Sequence, residues 1–325
     1  MRQDISISAI ICFFTVLSIT TVLGDKIDIE QTGSVDFDEK TIDYFTHNGE
    51  SGILTAFQGT TEMNCSPHRL SCTLPENDFK GEFLIINQEE GQLELRLLCL
   101  LDYRQAPFTL DQESSGQHYL SVEQSGKKRL RFALGGIMPG AHDLILLAID
   151  RMDKPASNIG DSDHLFFHRL MLFAGTKRMP QIKTQIADNV SPTSETTYSI
   201  RCKIEKPQFS VGNSNYRKFK RPHTRFYLQI NNPENEPSNY AVLTFLNEHQ
   251  LDLIRDDAVD TQFWKVPPRS RGTIPVDVDT RAFRSGDVFM ILCVENPFAY
   301  LETRTAEIAN IRAQLHVAYR NMVKF

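Results

Sequence analysis

Phe83-Leu84-Ile85-Ile86-Asn87 returns as Tyr227-Leu228-Gln229-Ile230-Asn231, about 144 residues later. The same offset joins Leu130, Phe132 and Leu134 to Ile274, Val276 and Val278, and Asp143 to Asp287. It joins Leu120 to Trp264, and Met171, Phe173 and Ala174 to Leu315, Val317 and Ala318. What repeats is an alternation of apolar side chains, not a set of reactive groups. A period of two marks a pleated strand with one dry face. A duplicated strand pattern predicts two copies of one β domain.

The neighbouring segments agree. Leu93, Leu95, Leu97, Cys99 and Leu101 share one face of an extended run, with Glu94, Arg96 and Leu98 on the other. Met138-Pro139-Gly140 is a turn signal, because proline presets one dihedral and glycine accepts a positive one. Residues Leu144 to Ile149 are continuously apolar and read as a central strand. In the second copy, Tyr240 to Leu246 and Val288 to Val294 read as strands, and Ile308 to Tyr319 closes the unit. Pro275 implies an edge or a bulge there. Short strands separated by Gly, Pro and Asn indicate a sandwich.

The expected fold is therefore all-β: two tandem immunoglobulin-like antiparallel β-sandwich domains after an N-terminal apolar segment. The expected divisions are an apolar segment at 1–24, an acidic leader at 25–45 and a first sandwich at 46–178. A linker at 179–196 and a second sandwich at 197–325 follow. Some hinge freedom between the sandwiches is the default.

Residues 5–24 are the one membrane-length apolar stretch. Val22-Leu23-Gly24 before Asp25 fits cleavage after Gly24, so a signal peptide is expected. An uncleaved anchor is the alternative, since the stretch nearly suffices to span a bilayer. Either places the chain outside the cytoplasm, secreted or anchored. Cys65–Cys72 and Cys202–Cys293 are candidate bridges there; the other reading is buried thiols packing as small hydrophobes. Asn64-Cys65-Ser66 and Asn189-Val190-Ser191 match the glycosylation acceptor pattern. The first adjoins a candidate bridge, and the second precedes Pro192.

The net charge of −6 argues against a nucleic-acid protein. The densest basic cluster is Tyr216 to Arg225. Arg217, Lys218, Phe219, Lys220, Arg221 and Arg225 mix cations with an aromatic, which suits an anionic polymer or lipid headgroups. A solvated loop is the competing reading, and the acidic leader could lie against it. His164 and His168 share a strand face, but zinc normally needs three or four ligands. Asp252, Asp256, Asp257 and Asp260 lack calcium-loop spacing. Ser125 to Lys128 sits in a turn, not at the helix start that a Ser-x-x-Lys nucleophile needs. Trp264 reads as core between sheets, an exposed platform being the alternative.

No catalytic residue, cofactor or metal is assigned from the sequence. The reading that follows is a non-enzymatic extracytoplasmic protein acting in binding, spacing or assembly at a cell envelope. Its partner would be an envelope protein, a polysaccharide or lipid headgroups. The alternatives are a membrane-tethered subunit of a larger complex and a secreted hydrolase with its site between the domains.

Overall fold

A computed structural model describes residues 47–48, 53–60, 63–66, 71–88, 90–150, 165–195, 199–204, 216–218, 222–253, 262–298 and 315–324. Among the described residues the chain forms strands and no helix. The first half contributes β1 (His47–Asn48), β2 (Ile53–Gly59), β3 (Asn64–Ser66), β4 (Ser71–Leu74), β5 (Phe79–Asn87), β6 (Leu93–Leu101), β7 (Arg104–Gln105), β8 (Phe108–Leu110), β9 (Glu113–Ser115), β10 (Gln117–Val122), β11 (Lys127–Leu134), β12 (Gly140–Asp150) and β13 (Leu165–Ala174). The second contributes β14 (Gln185–Ile186), β15 (Asp188–Pro192), β16 (Ser199–Ile204), β17 (Tyr216–Lys218), β18 (His223–Asn232), β19 (Ser238–Leu246), β20 (His249–Leu251), β21 (Gln262–Val266), β22 (Ser270–Asp279), β23 (Val288–Glu295) and β24 (Leu315–Lys324).

These strands make two immunoglobulin-like sandwiches. In the first, the sheet β1-β2-β5-β11-β8-β9 faces β10-β6-β12-β13-β4-β3. In the second, β15-β22-β18-β16 faces β14-β21-β19-β23-β24-β17. Both copies make the same sheet switch. β2 lies antiparallel on β5, and then β4 joins the other sheet parallel to the last strand, β13. Likewise β16 lies on β18 and β17 runs parallel to β24.

Each sandwich has its own core. In the first, the Phe57 ring meets those of Phe132 and Phe79 at centroid distances of 5.1 and 5.7 Å. In the second, the buried Trp264 packs with Tyr240, Phe226 and Phe289. Its Nε1 donates to Gln262 Oε1 at 3.2 Å, so the indole is core rather than platform.

The repeat is real, but its register differs from the constant offset read in the sequence. Asn87 Nδ2 donates to the carbonyls of Gly91, Val122 and Glu123. Its counterpart is Asn232, whose Nδ2 donates to Glu236, Val266 and Pro267. Phe83 therefore matches Leu228, not Tyr227, for both face their cores and stand opposite Leu130 and Ile274. A one-residue slip turns every side chain to the other face. Relative to the first copy, the second loses one residue between β19 and β21 and regains it between β22 and β23. Asp143 thus matches Val288, and His142 matches Asp287. The amides of Asp143 and Val288 each donate to the side chain of the residue that follows the neighbouring strand, Asp102 after β6 and Asn247 after β19. The closing strands shift further. Arg169 pairs with Ile145 and Arg320 with Met290, at matching positions.

Residues 185–192, within the expected linker, are strands of the second sandwich. β14 runs parallel to β21 and β15 lies on β22. Ala187, between them, enters the second core. Gly272 makes room for it: a Cβ there would stand 2.6 Å from that of Ala187. β15 pairs β22 only as far as Thr273, so Pro275 lies beyond that pairing.

Cys65 and Cys72 are joined by a disulfide across β3 and β4. Cys202 and Cys293 are thiols, not a bridge. They belong to opposite sheets, β16 outermost in one and β23 internal in the other. Both pack into the second core, where burial pushes the Cys293 thiol upward.

Candidate functional site

The runs Leu97 to Leu101, Leu144 to Ile149, Tyr240 to Phe245 and Val288 to Val294 are apolar at every or nearly every position. Alternation sends half of each run into its own core. Leu144, Leu146 and Ala148 face the first core, and Phe289, Ile291 and Cys293 the second. The other half meets across a third core. There Leu98, Leu100, Tyr103, Ile145, Leu147 and Ile149 pack with Ala241, Leu243, Phe245, Met290, Leu292 and Val294. The β6-β12-β13 face of one sandwich is thus buried on the β19-β23-β24 face of the other. Strands apolar on both faces are buried on both faces. The expected hinge is replaced by a packed interface.

Hydrogen bonds across this junction are reciprocal. The Gln105 amide donates to Gln250 Oε1 at 2.6 Å, and the Gln250 amide to Gln105 Oε1 at 2.9 Å. These residues are 145 apart and occupy matching positions after β6 and β19. Contact of i with j and of j with i is what an approximate two-fold axis produces.

Beside the axis lies the most elaborate polar cluster among the described residues. Arg169 on β13 donates from Nε and Nη2 to the fully buried Asp143 carboxylate on β12, at 2.9 and 2.5 Å. The Tyr103 hydroxyl donates to the same carboxylate. Arg169 then crosses the junction, with Nη1 and Nη2 donating to the carbonyls of Glu295 (3.0 Å) and Asn296 (2.8 Å). The Phe298 amide returns a bond to Tyr103 Oη at 3.1 Å. Asn296 and Phe298 hold φ of +47° and +56°, a left-handed turn in which the carbonyls of Glu295 and Asn296 meet Arg169 and the Phe298 amide meets Tyr103. Burial, followed by the Asp143 charge, pushes the Tyr103 hydroxyl far up, so it stays a donor. Across the axis the chemistry differs: Arg96 and Glu248 form an ion pair, with the guanidinium 5.1 Å from the Tyr119 ring. The arrangement clamps two sandwiches.

Glu295 ends β23 at this clamp. Burial first, and Glu234 next, push its carboxyl up to about 7. In the unfolded chain it ionises in the ordinary carboxylate range. Its contribution to stability is therefore whole below that range and falls as pH rises through about 7. Glu295→Gln should gain about 1–3 kcal/mol over wild type at pH 8 and nothing at pH 4. Urea midpoints at the two pH values check this.

The basic cluster is only partly placed. Arg217 and Lys218 are on β17, and their side chains, with Phe219, Lys220 and Arg221, lie outside the described residues. Arg225, on β18, is engaged by Asp277 through Nε–Oδ1 (2.5 Å) and Nη2–Oδ2 (2.7 Å). His168 turns into the first core, its ring centroid 5.9 Å from that of Phe83 and Nε2 3.0 Å from Thr55 Oγ1. His164, Asp256, Asp257 and Asp260 lie outside the described residues. Ser125, at φ +54°, is in the turn between β10 and β11. Among the described residues no helix is long and apolar enough to cross a membrane. Residues 1–46 are outside the described set.

The clamp is not visible as a motif, because Tyr103, Asp143 and Arg169 are far apart in sequence. A signal did exist: Asp143 directly precedes one long apolar run and Arg169 interrupts another, and a charge in such a strand calls for a partner.

No family model and no curated protein matches the chain. Solved structures with similar strand arrangements include red sea bream transglutaminase, at 8% identity and TM-score 0.23, covering 84% of this chain and 31% of that one. The chain thus spans about a third of that enzyme. Others are the Salmonella enterica SafA pilin–SafB chaperone complex (11%, 0.22, covering 76% and 92%) and the E. coli chaperone DraB (11%, 0.23, covering 71% and 91%). These are similarities at low identity and low TM-score. The fold rests on the strand pairing described above.

Proposed function

We propose that this chain is a rigid, non-enzymatic β-sandwich protein that works outside the cytoplasm in binding, spacing or assembly at the cell envelope. The observation that carries the reading is the clamped junction. Two sandwiches fixed on a shared apolar core hold their end loops at constant separation, which suits a scaffold for loop-borne contacts. The Cys65–Cys72 bridge and the apolar segment at 5–24 support an oxidising, exported setting.

The proposed contact is Arg217, Lys218, Phe219, Lys220 and Arg221, with an anionic polymer or headgroup surface. Arg225 is left out because Asp277 already neutralises it. The test is Arg217→Glu, Lys218→Glu, Lys220→Glu and Arg221→Glu combined, with binding to anionic lipid vesicles measured at low and high salt. Wild type should bind and release as salt rises, while the variant, folded by circular dichroism, should not bind. Equal binding by both proteins, or none by wild type, would remove this surface as the contact.

A further inference from the structure

Each sandwich has an acceptor sequence on an outermost strand. β3, with Asn64-Cys65-Ser66, ends the sheet β10-β6-β12-β13-β4-β3. β15, with Asn189-Val190-Ser191, ends the sheet β15-β22-β18-β16. Both asparagines are exposed. On β3, alternation sends Asn64 outward while Cys65 packs inward against the first core, bonded to Cys72. The bridge and a modified Asn64 thus occupy opposite faces and do not compete. On β15, the register breaks between Asp188 and Ser191, and Asn189 stands in that irregularity at φ +49°. Every residue from Asp188 to Pro192 is exposed.

The β15 margin is also apolar. Val190 on β15 is 42% exposed, and Ile186 on β14, the outermost strand of the facing sheet, is 68% exposed. A sheet margin presenting apolar side chains and backbone hydrogen-bonding groups invites pairing with another chain, and native proteins cover such margins.

We propose that Asn64 and Asn189 carry N-linked glycans that cover the outer margins of the two sandwiches. The inference rests on the export reading above. The donor class is a polyprenyl-pyrophosphate oligosaccharide. The asparagine amide nitrogen forms a bond to the first sugar carbon as the carbon–oxygen bond to pyrophosphate breaks. The lipid pyrophosphate leaves, the amide proton is lost to base, and no oxidation occurs.

The test uses full-length protein from its native cell. Fractionation, the thiol state of Cys65 and Cys72, and peptide mapping after amidase release of N-glycans are read together. Release converts each glycosylated asparagine to aspartate, so aspartate is expected at both 64 and 189. Asn189→Gln should then raise self-association, read by light scattering. Exported, bridged protein with asparagine at both positions overturns the inference and leaves the export reading standing. Conversion at one position alone overturns the assignment at the other. Cytosolic protein with reduced Cys65 and Cys72 overturns both readings.

Discussion

Arg169→Met should destabilise the chain by about 3–5 kcal/mol, and adding Asp143→Val should recover most of that loss. The single change leaves the Asp143 carboxylate fully buried, with the Tyr103 hydroxyl as its remaining side-chain donor. It also frees two carbonyls, of Glu295 and Asn296, that had accepted from Arg169. An uncompensated buried charge costs more than the intact pair contributes, so removing both partners is milder than removing one. The protein itself contains the apolar solution: Val288 stands where Asp143 does in the other copy, and it is buried in the junction. Denaturant unfolding of the two singles and the double measures the coupling. Equal losses for the Arg169 single and the double would mean that the clamp acts through packing alone.

Leu147→Ala should cost about 2–5 kcal/mol, as much as Leu146→Ala on the same strand. The two leucines point in opposite directions and both are 0% exposed. Leu146 faces the core of the first sandwich, and Leu147 faces the junction. If the sandwiches were independent, Leu147 would face water and its truncation would change stability by less than about 0.5 kcal/mol. Leu147→Asp carries the contrast further. An unpaired carboxylate in a dry interface costs several kcal/mol, while one on a wet face costs little. Urea unfolding of these variants separates the alternatives.

Much of the fold was legible because strands write their own period. Leu130, Phe132 and Leu134 alternate with Arg129, Arg131 and Ala133, and they recur as Ile274, Val276 and Val278 facing the second core. The exact match of copies was not legible. Phe83 and Tyr227 look alike, yet Tyr227 sits on the outer face while Leu228 takes the place of Phe83. Loops that differ by one residue erase register in a constant-offset comparison.

The junction was half legible. Leu144 to Ile149 reads as a strand inside a sheet, but apolar side chains on both faces also demand a second packing partner, and that partner is the other copy. The clamp was not legible. Asp143 and Arg169 meet because β12 and β13 are neighbours in register, and pairing between strands leaves no mark on residue spacing. The basic cluster stood out by composition, which reports charge but not engagement: Arg225 is held by Asp277 on the next strand.

Scanning calorimetry of the full chain tests the central claim most directly. Two sandwiches sharing a third core should melt in one transition, with calorimetric and van't Hoff enthalpies equal. Two resolved transitions, each with the enthalpy of one sandwich, would contradict a common folded body.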